Sequence, residues 1–353
     1  MKGVVILGNR QLEIRDFPVP TPNRGQVLIK PEVTTICGSD INYFKSTPEE
    51  LGDRATWIAG HEVCGRIVKL GDCISDLKEG DRVSVFHLHG CGFCEMCRKG
   101  YPQYCTTPAG SSGLVKGQAT TPWKSSGTFA DFLLAPANVC LKMPNDISPL
   151  TGAILGCSGL TAYNAIDKLR ITSSDTVAVY GLGPVGLCAV VILNALGIKS
   201  IGIDLSQERI ALAEDLGVNE VINAQESNPV DEINTITGGC GTDASLDFSG
   251  NRHGILNAIR SVKNFGKVCL IGAGRDINES FISPASFMSR EVWITGIHVS
   301  GLNSWFDLVR LMRLRKFSFD KVVTHSFPLS KVREAFELWE TLKAGKIALT
   351  VND

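Results

Sequence analysis

The sequence predicts an α/β protein of two domains, one of them built on a doubly wound parallel sheet. Three observations carry this expectation. The chain has 353 residues, about twice the ~150 residues of an ordinary domain. Its texture changes after Pro149, from short strands and loops to an alternation of strand and helix. A glycine-rich turn, Gly181 to Gly186, lies between a strand and a helix in that second part.

In the first part, to about residue 150, Val4-Val5-Ile6-Leu7, Val27 to Pro31 and Val83 to Phe86 are short apolar runs punctuated by Gly and Pro. They read as strands, and long helical periodicity is absent. Residues 151–296 read as βαβαβ. Thr176 to Tyr180 is a compact strand, Pro184 to Leu196 an apolar helix, and Ser200 to Asp204 a second strand. An amphipathic helix, Glu208 to Leu216, and a third strand, Glu220 to Ile222, follow. Ala244 to Phe248 and Lys267 to Ile271 repeat the strand pattern. The remainder, 297–353, ends in a helix over Leu329 to Ala344 and a strand over Ile347 to Val351. It is too short for a domain and is expected to return to the first one.

Composition narrows the function. Hydrophobic residues are 44% and charged residues 20% of the chain, values of a globular enzyme and not of a disordered chain. A formal net charge of −1 lacks the basic excess that nucleic acid or a membrane surface demands, so neither is expected as a partner. No apolar run approaches the ~20 residues of a membrane span. The opening Met-Lys-Gly-Val-Val-Ile run is too short for a signal peptide. Twelve cysteines in such a chain read as metal or catalytic thiols in a reducing cytoplasm, not as a disulfide framework.

Gly181-Leu182-Gly183-Pro184-Val185-Gly186 is G-x-G-x-x-G. The first glycine permits a tight turn, the second admits a pyrophosphate, and the third lets helix and strand pack closely. The helix N-terminus offers free N–H groups to phosphates. Asp204, at the end of the next strand, suits a ribose 2′-hydroxyl and repels a 2′-phosphate, which predicts NAD over NADP. Arg209 could instead serve a 2′-phosphate or stack on adenine. The bland alternative is a sheet of this kind that binds another nucleotide or none.

Cys91, Cys94, Cys97 and Cys105 form C-x2-C-x2-C-x7-C. Four thiolates so close can close a tetrahedral zinc site within one lobe, about 88–106, with no open position and hence a structural role. An iron–sulfur cluster would show a different last spacing and a following Pro. A nucleic-acid finger would want more basic residues than Arg98 and Lys99. Elsewhere, Cys37, His61 and Cys157 combine a thiolate, an imidazole and a third donor, the set an open catalytic zinc requires. Singly, each would pass for a core residue.

Taken together, these motifs resemble the zinc-containing medium-chain dehydrogenase/reductases of the alcohol and polyol type, including sorbitol-type enzymes. Cys37-Gly38-Ser39-Asp40, Gly60-His61-Glu62-Val63-Cys64-Gly65, Gly71, Gly80-Asp81-Arg82-Val83, the four-cysteine lobe and Gly181 to Gly186 carry the resemblance along the whole chain. It implies a GroES-like β-rich catalytic domain, a Rossmann domain and an active-site cleft between them. It implies two zinc ions per chain, with Cys37 and His61 holding the catalytic one. Cys157 would be its resting third ligand, and Glu62 a neighbour able to exchange. Ser39 matches the hydroxyl that takes the substrate proton. Asn42 stands where many relatives carry the outer relay histidine, and an amide is no base near neutral pH. His87 and His298 are candidates to replace it. Tyr43 matches a tyrosine of sorbitol-type enzymes. The implied reaction is NAD-linked oxidation of a secondary hydroxyl of a polyol, cyclitol or sugar-derived alcohol. Threonine or a simple secondary alcohol is the runner-up substrate. The readings from other classes are a non-catalytic zinc- and nucleotide-binding relative and a zinc-free quinone-type reductase. A homodimer or homotetramer is implied.

Overall fold

A computed structural model describes residues 1–106, 127–272 and 283–351. The first part holds β1 (Lys2–Gly8), β2 (Gln11–Asp16), β3 (Gln26–Thr35), β4 (Glu62–Leu70), β5 (Arg82–Val85), β6 (Leu133–Pro136) and β7 (Cys140–Lys142). The second holds β8 (Thr176–Tyr180), β9 (Lys199–Asp204), β10 (Glu220–Asn223), β11 (Thr242–Asp247), β12 (Val262–Leu270) and β13 (Trp293–Gly296). The chain closes with β14 (Val323–Pro328) and β15 (Lys346–Thr350).

Three sheets result among the described residues. β1 and β2 form an antiparallel pair, and β10-β9-β8-β11-β12-β13 form a parallel six-stranded sheet. The third has the order β14-β15-β3-β4-β5-β7, with β6 also paired to β3. Thus the last strands of the chain complete the sheet of the first part, where β15 runs antiparallel to β3. The parallel sheet reverses its order at β8, whose two neighbours are β9 and β11. The glycine turn follows β8, and such a reversal opens a crevice for a ligand.

Helix Pro184–Leu196 is apolar on nearly all sides because nearly all of it is buried. One buried cluster runs from Val27, Val63 and Val85 through Ile154 and Leu160 to Leu187 and Val190, joining the two sheets through a shared interior. The helices Pro149–Ile154 and Leu160–Lys168 are linked by a wholly buried π-helical turn, Leu155–Gly159. A Cβ at Gly156 would lie 2.5 Å from the Val85 carbonyl oxygen, so only glycine allows this approach. Such turns recur at functional sites, and this one presents Cys157 and Ser158.

The closing helix is shorter than its pattern predicts. A 3-10 turn, Leu329–Lys331, precedes a helix confined to Val332–Glu340. Leu342, at φ 60°, reverses the chain and brings Lys346 into β15.

Candidate active site and metal centres

The thiol of Cys37 stands at the N-cap of helix Gly38–Lys45, just past β3. His61 immediately precedes β4, and Glu62 begins it. Register brings them together: Thr35 of β3 lies opposite Glu62 of β4. Cys157 arrives from the π-helical turn. One donor atom each from Cys37, His61, Glu62 and Cys157 lies within 4.8 Å of the others.

Asp40, 2% exposed, organises this cluster. It accepts from the Cys37 backbone N–H at 2.9 Å and faces His61 Nδ1 at 3.3 Å. With Nδ1 turned to a carboxylate, Nε2 is the nitrogen left for a metal. Burial opposes a charge on His61, but Asp40 and Cys37 outweigh it and hold the imidazolium well above its usual range. The hydrogen bond from Cys157, and after it the His61 charge, hold Cys37 well below the ordinary thiol value despite burial. Cys157 is pushed well up by that same bond and by burial. The cluster thus sets one thiol eased toward ionisation and one held protonated beside an imidazole whose charge is favoured. Its sulfur and nitrogen donors, half-buried to buried, fit a zinc ion, and binding would release protons.

Glu62 is differently engaged. It is 0% exposed and pairs with Lys346 Nζ at 2.5 Å, itself 0% exposed. Ser158 Oγ donates to the other carboxylate oxygen at 2.8 Å, and Thr35 Oγ1 donates to the one facing Lys346. Lys346 also donates to Ser158 at 2.9 Å. The exchange of Glu62 onto a metal, expected from the resemblance, would have to break this network.

Ser39 and His61 line a cavity of about 120 Å³ that also touches His87, Tyr43, Arg54 and Trp57. His87 packs on His61 with ring centroids 4.9 Å apart, and its Nδ1 meets the Gly156 carbonyl at 3.0 Å. Burial, aided by the His61 charge, drives its pKa down to about 3. It is a neutral wall of the cavity. Asn42 is half-buried, and its carbonyl accepts from Ser46 N at 3.0 Å. It is not among the residues lining the cavity. His298 is lowered by burial, and its Nδ1 has no hydrogen-bond partner among the described residues.

In the lobe, one sulfur each from Cys91, Cys94, Cys97 and Cys105 lies within 4.8 Å of the others. Backbone N–H groups of Phe93 and Cys94 point at Cys91 Sγ, at 3.4 and 3.3 Å. The backbone N–H groups of Cys97 and Thr106 lower the Cys94 thiol to about 6, while burial raises Cys97 to about 12. Sulfurs already wrapped by N–H donors fit a closed tetrathiolate zinc.

The glycine turn has the geometry of a phosphate cradle. Gly181 is at φ +88°, and a Cβ on Gly186 would fall 2.0 Å from the Gly181 carbonyl oxygen. A Cβ on Gly183 would meet only Arg209 Nη1, at 3.8 Å, so open space lies over the N-terminus of helix Pro184–Leu196. Pro184 and Val185 begin that helix, which has no side-chain cap. This space fits a pyrophosphate. Asp204 accepts from the backbone N–H groups of Leu182, Leu205 and Ser206 at 2.6, 2.7 and 2.9 Å. Arg209 is 8% exposed, donates from Nε to the Ala344 carbonyl at 3.2 Å and packs over Trp339. It ties the parallel sheet to the end of the chain.

Sequence reasoning missed Asp40, Ser158, Lys346 and Arg54. Asp40 had a signal, since it ends the Cys-Gly-Ser-Asp motif. The other three had none, because only the tertiary fold brings them to the site.

A mostly antiparallel sheet with a thiol- and imidazole-lined site, joined to a parallel sheet with a dinucleotide cradle, defines a metal-dependent dehydrogenase. The comparisons with known proteins give its family. Residues 23–145 match the alcohol dehydrogenase GroES-like domain, and residues 184–313 match the zinc-binding dehydrogenase domain. The uncharacterized zinc-type alcohol dehydrogenase-like protein YphC of Escherichia coli is 35% identical over 100% of this chain and 99% of its own length. The L-threonine 3-dehydrogenase of Pyrococcus abyssi is 31% identical over 96% of this chain and 95% of its own. Among solved structures, alcohol dehydrogenase TADH from Thermus sp. ATN1 superposes with a TM-score of 0.88 at 26% identity, covering 100% of both chains. The chain belongs to the zinc-containing alcohol dehydrogenases of the medium-chain dehydrogenase/reductase family, and it is a zinc-dependent oxidoreductase.

Proposed function

We propose that this enzyme oxidises a secondary hydroxyl of a polyol, cyclitol or sugar-derived alcohol to a ketone with NAD. The observation that carries the reading is the Cys37–His61–Cys157 donor set, whose His61 lines one cavity with Ser39. Two zinc ions per chain are proposed, one held by Cys37, His61 and Cys157 and one closed by the four lobe cysteines. When bound, the catalytic zinc supplies a Lewis acid for the substrate oxygen and NAD supplies the acceptor for hydride.

The chain's own residues do the rest. Asp40 fixes the tautomer and direction of His61. Ser39 accepts the proton of the substrate hydroxyl and passes it outward. Asn42 can hold a water but cannot take the proton, so the relay beyond Ser39 runs through water or ribose. His87, held neutral, walls the site without competing for that proton. Each turnover removes two hydrogens, one as hydride to NAD and one as a proton through Ser39. Asp204 is assigned the adenosine ribose, its charge disfavouring a 2′-phosphate. Arg209, buried against Ala344, is assigned to holding the two parts of the chain together. The identity to an L-threonine 3-dehydrogenase supports threonine as the second substrate reading. Association of two or more chains is assigned to the edge strand β13, where Trp293 is 75% exposed, and the setting to the cytoplasm.

The test is NADH formation, followed by near-ultraviolet absorbance, over polyols, cyclitols, sugar acids, threonine and simple secondary alcohols, with and without a chelator. A chelator-sensitive signal on the sugar-derived group is expected. Silence from protein that holds two zinc ions and binds NAD would favour the non-catalytic reading.

A further inference from the structure

The cavity that Ser39 and His61 line holds a further polar group that the reaction does not use. Arg54 sits on the 3-10 turn Gly52–Thr56, half-buried, and lines the same cavity. Its guanidinium lies over the Tyr43 ring at 4.9 Å and the Trp57 ring at 5.9 Å. Nη1 donates to the Tyr43 hydroxyl. Of the five N–H donors of a guanidinium, that is the only one with a protein partner among the described residues. Arg54 forms no ion pair with any described carboxylate. The acid nearest in the cavity wall, Asp40, is committed to His61 and the Cys37 N–H.

This is an unusual place for an unpaired cation. Ile6, Leu51 and Ile58 line the same wall, and a charge set against apolar surface is costly unless an anion meets it. Two aromatic faces and a phenol hydroxyl fix the guanidinium plane before any ligand arrives, which lowers the entropy of recognising a planar oxyanion. Carboxylate and phosphate are the groups an arginine fork engages with two parallel hydrogen bonds.

We propose that Arg54 is a specificity-determining residue, and that the substrate is a hydroxy acid whose carboxylate or phosphate it binds while the reacting hydroxyl lies at the Ser39–His61 end. The proposal rests on the dehydrogenase reading above and narrows it. Neutral polyols and cyclitols leave the fork unmatched. Threonine brings a carboxylate but also an ammonium, for which the cavity wall offers no uncommitted acid.

The experiment measures kcat and KM for matched pairs with the zinc-loaded enzyme and NAD. Gluconate, galactonate and threonate are set against sorbitol, galactitol and threitol; sorbitol 6-phosphate is the phosphate arm and threonine the zwitterion. The anion of a pair is expected to exceed its alditol in kcat/KM by at least tenfold. In Arg54→Met that ratio falls on the order of ten- to a hundredfold, mainly through KM, as loss of a charge-assisted bidentate pair requires. Arg54→Lys keeps the charge without the fork and regains part of it; it serves also if the Met variant fails to fold. The carboxylate and phosphate arms decide which anion is preferred. Alditols used as well as their acids, or a ratio unmoved by either variant, overturns the proposal and leaves the dehydrogenase reading standing. If nothing is oxidised, titration of tryptophan fluorescence with the same anions, in wild type and Arg54→Met, separates the two failures. A saturable change that requires Arg54 keeps the anion site while the reaction reading falls, and no change removes both.

Discussion

Replacing Lys346 by Met tests the buried network behind the metal cluster. Both Lys346 and Glu62 are 0% exposed, with Nζ and Oε2 2.5 Å apart. At that distance the attraction is about 7 kcal/mol for an effective dielectric of about 20. Desolvation of the two ions offsets much of it, so the pair as a whole adds little stability. Removing one member is another matter, because the carboxylate then stays buried without its cation. Lys346→Met therefore costs about 3–5 kcal/mol, a large share of a typical stability of about 5–15 kcal/mol. Two contacts of the network disappear, those to Glu62 and Ser158, while the Thr35 and Ser158 hydroxyls still donate to Glu62. Glu62→Gln keeps shape and an acceptor and costs less, about 1–3 kcal/mol. In the double variant no charge remains to be stranded. Its cost falls short of the sum of the singles by at least ~2 kcal/mol. The assay is urea unfolding of the zinc-loaded protein, with circular dichroism and tryptophan fluorescence required to coincide. A Lys346→Met cost below about 1 kcal/mol, or additivity within about 0.5 kcal/mol, would refute the reasoning.

Gly183→Ala and Gly186→Ala should behave oppositely. The first adds a methyl into open space, so the melting temperature holds while the Kd for NAD, read by fluorescence titration, rises at least ~10-fold from lost phosphate contacts. The second meets a backbone oxygen at 2.0 Å, so the fold itself is destabilised, by about 1–3 kcal/mol as overpacking does. Cys97→Ala should lower zinc from two ions per chain to one by atomic absorption, and thermal inactivation should quicken while the remaining zinc still supports turnover. Asp81, 7% exposed, accepts from Lys142 Nζ at 2.8 Å and the Lys78 N–H at 3.1 Å, and these hold its carboxyl low although burial opposes them. A depressed carboxyl stabilises above its unfolded value of about 3.9 and loses that as pH falls through the folded value. Asp81→Asn should thus cost about 1–2 kcal/mol at pH 7, and the difference from wild type should shrink as pH is lowered below about 3.9, measured by urea midpoints across that range.

What was legible in the sequence is what is local in it. Four cysteines inside one lobe, a glycine turn between strand and helix, and Cys-Gly-Ser-Asp each carry their geometry in their own spacing. The βαβ part was legible because helix and strand periods alternate cleanly there, and β8, β9 and helix Pro184–Leu196 fall within a residue of their patterns. The closing helix stops short of its pattern because Leu342 takes a left-handed turn that apolar periodicity does not register. Lys346 was invisible for a different reason. A lysine in a C-terminal strand reads as solvated, and only the pairing of β15 with β3, and of β3 with β4, sets it against Glu62. Arg54 lies in a polar stretch that reads as a surface loop, and nothing nearby in the chain announces that Tyr43 and Trp57 fold onto it.

The charges around the cavity give these two missed residues a common logic. At the metal end every acid has a cation of its own: Asp40 has His61, and Glu62 has Lys346. The thiolate of Cys37 lies within reach of the His61 charge and, at longer range, that of Lys346. With that thiolate counted, the three anions exceed the two cations by one charge, which a zinc dication would offset. Only at the other end does a cation, Arg54, stand without a carboxylate. A cation without a carboxylate orients an anionic substrate as well as holding it. A hydroxy acid anchored there has one direction in which to lie, with its reacting carbon toward Ser39. A neutral polyol, which has no anionic end, has no such anchor, and its reversed encounters would be unproductive.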